Sequence, residues 1–307
     1  AANGGHLSQL VELSGRIPGA GGDALWVTFD SPQSRSLLAG RRVVFIDPIE
    51  ERDVRGVCRG VIAARRLMRV HGVTGVISTG SGIALSFLPY AALRGIAAHY
   101  IESAARVGAP SLTGKLLSLV PGVNLYRQYP AAAAGRWKYA GSVFDGFRAS
   151  VEADRPVRRL VVTLGSGAHG FRRLLDSLLP ILPPDVSVLW QTGSTPVDDL
   201  PIEAHRHIPA DVLAKAMREA DAIIGHAGCG SALTALNSGR YPILIPREPS
   251  HGELVDNHQV ELAAFLGGRG LALHRTPQTI TFNDIRAAAA HAVTRLSDLP
   301  ALRLVDT

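Results

Sequence analysis

The sequence predicts an α/β fold made of two Rossmann-like domains that face each other across a cleft. Two observations predict it. Short apolar runs suited to strands alternate with helical segments along nearly the whole chain, a pattern that implies parallel sheets with helices on both faces. The alternation loosens once, over residues 130–156, and then restarts. A chain of 307 residues suits two domains of ordinary size. The expected domains are residues 1–140 and 156–307, with the final helix able to pack back on the first.

The chain opens on a glycine pair, "NGGHLSQL" (residues 3–10), with a helix beginning near His6 and almost no strand before it. "ALWVTF" is a strand, and "SPQSRSLLAG" starts with Ser-Pro, a good helix opening. "RVVFID" is a strand. The helix over 53–71 is amphipathic, and its apolar positions, Cys58 and Ile62 among them, are expected to pack inward. Most of Arg55, Arg59, Arg65, Arg66 and Arg69 then face out. Residues 72–93 are uncharged and long enough to span a bilayer. "STGSG" interrupts them, so they read as strand "VTGVIS", glycine loop and helix "GIALSFLPYAALRG". "IAAHYIE" is a strand, "SLTGKLLSLV" a short helix, and "GVNLYRQYP" closes the first half.

Residues 130–156 read as a linker. The second half runs strand "RRLVVTLG", helix from Phe171, strand "VSVLWQTG", a short strand near "AHRHIP", helix from Asp211 and strand "ADAIIG". A helix from Cys229, strand "PILIP", a helix from Glu253, strand "GLALH" and a final helix from Asn283 follow.

A net charge of +6 allows an anionic partner, either a phosphorylated substrate or an acidic membrane face. Nothing in the chain resembles RNP aromatics, a zinc knuckle or an Arg-rich tail, so nucleic acid is not expected. Two distant cysteines, Cys58 and Cys229, suggest neither a disulfide framework nor a metal site. With no recognisable signal peptide, the expected location is the cytoplasm, with peripheral contact to the inner membrane face as an extension of that reading.

Four glycine loops follow predicted strands or open predicted helices. In the first, Gly4 and Gly5 allow a tight turn. A neutral His6 there could take a proton from an acceptor hydroxyl, although a hydrogen bond to the loop backbone explains the spacing as well. In the second, Gly80 and Ser81 could cradle a phosphate or simply turn the chain. Shortly after it, Glu102, Arg106, Ser111, Thr113 and Lys115 gather just past a strand end, where open α/β sheets bind ligands. The third loop, "TLGSGAHG", offers Gly165, Ser166 and Gly167 to a diphosphate, and no Gly-Lys-Ser/Thr makes it a Walker loop. In the fourth, His226, Gly228, Cys229, Gly230 and Ser231 open a helix whose dipole favours an anion. Cys229 reads as a small buried residue rather than a nucleophile. Finally, "REPSHGELVDNHQVELAAFL" crowds Arg247, Glu248, His251, Glu253, Asp256, Asn257, His258 and Gln259 together. Their spacing matches no zinc motif, so a row of donors and acceptors for sugar hydroxyls is expected and no metal.

"GHAGCGSALTALNSGRYPILIPR…DNHQVELA" resembles the donor-binding half of glycosyltransferase family 28, the MurG-like group. "GGHLSQL…STGSGIALSFLPYAALRG…HYIESAARVGAPSLTGK" resembles the membrane-recruiting partner subunit of the dolichol-pathway GlcNAc transferase and its bacterial polysaccharide counterparts. The chain thus resembles both subunits fused, over nearly its whole length.

The resemblance implies a GT-B fold. It also implies an inverting, metal-independent transfer of GlcNAc or a hexose from a UDP-sugar, with no cofactor. Residues 1–140 would bind the acceptor, a soluble or lipid-linked saccharide, and residues 156–307 the donor. The diphosphate would lie on Gly165, Ser166 and the helix near Cys229. Asp256, Asn257 and Gln259 would face the donor sugar. His6 and Glu102 are the catalytic candidates. Gly4, Gly5, Gly80, Ser81, Arg106, Ser111 and Thr113 would shape the acceptor side. Two departures stand out. Thr234 occupies the place of a ribose-binding Glu, and the partner subunit's N-terminal membrane helix has no counterpart. A GT-B UDP-sugar 2-epimerase and a non-catalytic nucleotide-sugar-binding scaffold are the alternatives.

Overall fold

The computed structural model describes residues 1–20, 23–50, 52–165, 167, 169–302 and 304. The chain divides into two compact units. Unit 1 comprises Ala1–Asp145 with Asp298–Thr307, and unit 2 is Gly146–Ser297.

Unit 1 runs α1 (Gly5–Ser14), β1 (Trp26–Phe29), α2 (Pro32–Leu37), β2 (Val43–Ile46), α3 (Val54–His71), β3 (Gly75–Ser78), α4 (Gly82–Leu93), β4 (Ala97–Ile101), α5 (Leu112–Leu117), β5 (Val123–Arg127) and β6 (Trp137–Tyr139). β1 and β2 pair in parallel, and β3-β4-β5-β6 form a four-stranded parallel sheet. Apolar residues of α3, α4 and the sheet, among them Met68, Phe87, Leu88, Tyr100 and Leu125, make its core.

Two expectations about this half change. The stretch expected as linker contains β6, because Trp137 packs edge-on against Tyr100 at 6.0 Å between ring centroids. A three-residue strand carries too little periodicity to be read from sequence. In α3 the buried stripe is Gly56, Gly60, Ala64 and Met68, whereas Cys58 is exposed and Ile62 is 71% exposed. Small residues win the inner face because α4 comes too close for larger ones: a Cβ on Gly60 would lie 2.3 Å from Ser86 Oγ. The five arginines do face out, as expected.

Unit 2 runs β7 (Phe147–Val151), β8 (Arg159–Thr163), α6 (Arg172–Leu178), β9 (Ser187–Gln191), β10 (Ala204–His205), α7 (Ala210–Glu219), β11 (Ala222–Gly225), α8 (Cys229–Asn237), β12 (Ile243–Leu244), α9 (His258–Gly268), β13 (Leu273–His274), α10 (Phe282–Ala289) and β14 (His291–Arg295). Its main sheet is parallel, in the order β10-β9-β8-β11-β12-β13. The order reverses at β8, which leaves a crevice past the ends of β8 and β11, the usual ligand position in such sheets.

β7 lies in the stretch expected as linker and pairs antiparallel with β14. The expected final helix is α10, and the small antiparallel ribbon that follows it ends this unit. The segment that returns to unit 1 is extended: Leu302 N donates to Arg16 O at 2.7 Å. The helix expected from Glu253 starts at His258 instead, because a short turn over Pro249–His251 precedes it.

Candidate functional site

In unit 1 three of the predicted residues, Gly80, Glu102 and Ser111, meet at the Tyr100 hydroxyl. Gly4 has a φ of 76° and opens α1, which presents His6. The imidazole Nδ1 lies 2.8 Å from the Thr79 carbonyl oxygen. A carbonyl only accepts, so Nδ1 carries the proton and Nε2 keeps its lone pair. Burial pushes His6 down to about 4, so it is neutral at physiological pH. Gly80, at φ 132°, makes room for it: a Cβ there would sit 2.7 Å from His6 Cε1 and 3.5 Å from the Tyr100 oxygen. Ser81 follows at φ 70° as the residue before α4.

Glu102 is 1% exposed. It accepts from Tyr100 Oη at 2.9 Å, Ser103 N at 3.1 Å, Ser111 N at 3.0 Å and Ser111 Oγ at 3.2 Å. Four donors thus fasten Glu102 at the start of the loop that follows β4. Ser111 also caps α5 through the Gly114 amide at 3.0 Å. Thr113 lies in the first turn of α5, and Arg106 is on the fastened loop, its amide bonded to Ser103 O at 2.9 Å.

Sequence reasoning missed the residues behind this loop. Gln9, 1% exposed, accepts from Ala104 N at 2.7 Å and donates to Ser103 Oγ at 3.0 Å. Gln128 donates to Glu102 O at 3.0 Å. The buried Arg127 guanidinium donates to the carbonyls of Arg106, Val107 and Gly108. The available signal was a charged or amide residue inside an otherwise buried run, as in "LYRQY".

In unit 2 the loops after β8 and β11 meet at the sheet's reversal. His226 donates from Nδ1 to Thr163 O at 3.3 Å. Gly165, at φ 73°, and Gly228 both approach the Cε1–Nε2 edge of its ring: an added Cβ would lie 2.5 Å from Cε1 at Gly165 and 2.2 Å from Nε2 at Gly228. Burial, with Arg247 nearby, pushes His226 down to about 3. Gly228 precedes α8 without any side-chain cap, so the first amides of that helix, from Cys229, Gly230 and Ser231, are available to an anion. Burial pushes the Cys229 thiol up to about 12, which fits the expected packing role. Gly167 is exposed in the loop after β8, and Ser166, expected at the diphosphate, lies outside the described residues.

One turn into α8, Thr234 donates its hydroxyl to Gly230 O at 2.9 Å. Asp256 is paired with His258, whose ring Nδ1 it accepts from. Asn257, exposed, precedes α9. The Gln259 carbonyl accepts from Arg247 N at 3.0 Å. Part of the expected sugar-facing row is used inside the protein instead. Arg173 ion-pairs with Glu253 at 2.9 Å and Glu248 at 3.3 Å, and Arg247 turns inward to loop carbonyls. Among the described residues, no group of three or more His, Cys, Asp or Glu could hold a metal ion. No helix among them is long and apolar enough to cross a membrane.

This architecture is that of the GT-B glycosyltransferases. MurG of Acinetobacter baumannii is similar in fold at a TM-score of 0.57 and 22% identity, over 93% of this chain and 86% of that one. The kitacinnamycin glycotransferase matches at 0.57 and 16%, over 94% and 88%. The calicheamicin glycosyltransferase CalG4 matches at 0.52 and 16%, over 94% and 87%.

Residues 159–292 match the glycosyltransferase family 28 C-terminal domain. The UDP-N-acetylglucosamine transferase subunit ALG13 of Yarrowia lipolytica is 43% identical over 53 residues. That match spans 17% of this chain and a quarter (25%) of the curated relative's length.

Proposed function

We propose that the protein is an inverting, metal-independent glycosyltransferase that moves a sugar, GlcNAc or a hexose, from UDP to an acceptor hydroxyl. The observation that carries this is His226, clamped by Gly165 and Gly228 beside the uncapped start of α8 at the sheet reversal. That arrangement offers a leaving diphosphate the free amides of a helix N-terminus in place of a metal cation.

The acceptor oxygen attacks the anomeric carbon and forms the new C–O bond. The bond to the β-phosphate oxygen breaks, and its electron pair leaves on UDP. The acceptor proton passes to His6 Nε2, whose tautomer the Thr79 carbonyl sets. Glu102 acts as the anchor of the acceptor-side loop. The Thr234 hydroxyl, engaged with Gly230, gives the ribose no carboxylate. Of the carboxylates an epimerase would need, Glu248 and Glu253 are paired with Arg173, which favours transfer over epimerisation. The acceptor is taken as a lipid-linked saccharide at the inner membrane face, a reading supported by the outward arginines of α3.

A panel of UDP-sugars with added EDTA, read by mass spectrometry, tests the reading. Acceptor-dependent UDP release that survives chelation is expected. Loss of turnover under EDTA would overturn metal independence, and a protein that neither turns over nor binds any UDP-sugar would overturn the whole assignment.

A further inference from the structure

Arg247 follows β12 and is 4% exposed. Its Nη2 donates to Leu164 O and to His169 O, both at 2.8 Å, and its Nε donates to Gly170 O at 3.3 Å. The guanidinium lies over the Phe171 ring, 5.4 Å from the centroid. Among the described residues no carboxylate ion-pairs with it. Glu253 acts on it only through space and is itself paired with Arg173. Burial pushes Arg247 down to about 10, so it stays charged at neutral pH. A buried charge held by carbonyl dipoles without a carboxylate of its own is costly to keep.

The peptides it holds are those on either side of the third glycine loop. A carbonyl and the amide of the same trans peptide point in opposite directions. With the Leu164, His169 and Gly170 oxygens drawn to Arg247, the negative ends of those peptides are kept off an anion. The opposite edges are fixed too, Gly165 N to Thr163 Oγ1 at 3.3 Å and Phe171 N to Thr195 Oγ1 at 3.0 Å.

We infer that Arg247 is a positioning residue for the anion site of unit 2: it withdraws loop carbonyls from a nucleoside diphosphate held beside Gly165 and α8, and backs that anion with a buried positive charge. The inference rests on the donor-site reading above. Lysine keeps the charge, but its donors radiate from one nitrogen and cannot reproduce the planar fork by which Nε and Nη2 reach these carbonyls, so Arg247→Lys separates positioning from charge alone, and Arg247→Met removes both.

Calorimetry on the full chain with UDP, uridine and inorganic pyrophosphate decides. Arg247→Lys is expected to lose UDP and pyrophosphate affinity by about tenfold or more, Arg247→Met further, with uridine affinity nearly unchanged. Equal losses for UDP and uridine would mean general support of the fold and overturn the inference, as would unchanged UDP binding in the lysine variant. If the methionine variant does not fold, the lysine variant decides by itself. Wild type that binds pyrophosphate but not UDP would sink the UDP-sugar reading alone, and the pyrophosphate arm then judges Arg247. Wild type that binds neither sinks both.

Discussion

Gly228 shows how much of the proposed donor site depends on a missing side chain. Its backbone, at φ −77° and ψ 135°, suits any residue, so only space forbids a larger one: an added Cβ would lie 2.2 Å from His226 Nε2. Gly228→Ala is therefore expected to cost roughly 1–3 kcal/mol by overpacking, and less than about 0.5 kcal/mol when His226 is already alanine. Gly165 behaves differently, because its φ of 73° adds backbone strain. About 1 kcal/mol of the Gly165→Ala cost should persist without His226. Urea melts of the two double-mutant cycles check this, and equal behaviour of the two glycines would contradict the clamp. The clamped imidazoles also set an acid limit. His6 is held down to about 4 and His226 to about 3, so below the ordinary value of 6.5 the unfolded chain binds more protons than the folded one. Stability then rises with pH across that window. The penalty is absent above about pH 6.5 and grows as pH falls toward 4. It should be worth roughly 1–2 kcal/mol per residue, since both rings are half-buried. Melting midpoints of wild type and His226→Asn from neutral to about pH 4.5 test it, and identical pH slopes would refute the assignment.

At the scale of elements, α3 is the piece whose outer face the sequence described least well. Its arginines point out, but so do Ile62 at 71%, Val54 at 73% and Val70 at 67% exposure. A face that mixes guanidinium groups with exposed aliphatic side chains suits an anionic lipid surface, where each basic residue contributes about 1 kcal/mol. Co-sedimentation with phosphatidylglycerol vesicles is expected at low salt and should fade as salt rises. Replacing Arg65, Arg66 and Arg69 with Gln should abolish it. A triple mutant that sediments like wild type would remove α3 from consideration and make a soluble acceptor the better reading. The inner face was misread for a definite reason. Hydropathy ranks Ile62 above Gly60, whereas close helix contact selects whichever residue has no side chain, and the partner helix is invisible to a local pattern. The third and fourth glycine loops were legible for the opposite reason. A strand, small residues and a helix start in sequence order fix the local backbone by themselves, with no distant partner to guess.

For the whole molecule, the alternation of strands and helices revealed the fold class and the parallel sheets of each unit, because each unit repeats one local pattern. The antiparallel pairing of β7 with β14 was not legible, since its partners are 140 positions apart in register, as in His291 opposite Val151. Nor were the inward roles of Arg127 and Arg247, whose acceptors are main-chain carbonyls with no signature of their own. Unit 1 takes in Asp298–Thr307 as well as the first 145 residues, whereas unit 2 is one unbroken stretch. During synthesis the second unit is thus complete before the first. Until residues 298–302 leave the ribosome, Arg16 lacks the Pro300 carbonyl at 3.2 Å and the Leu302 amide at 2.7 Å. Nascent chains arrested after residue 297 should therefore show a protease-resistant unit 2 while the end of α1 is still open to cleavage, and a first unit already protected at that stage would argue against this order of assembly.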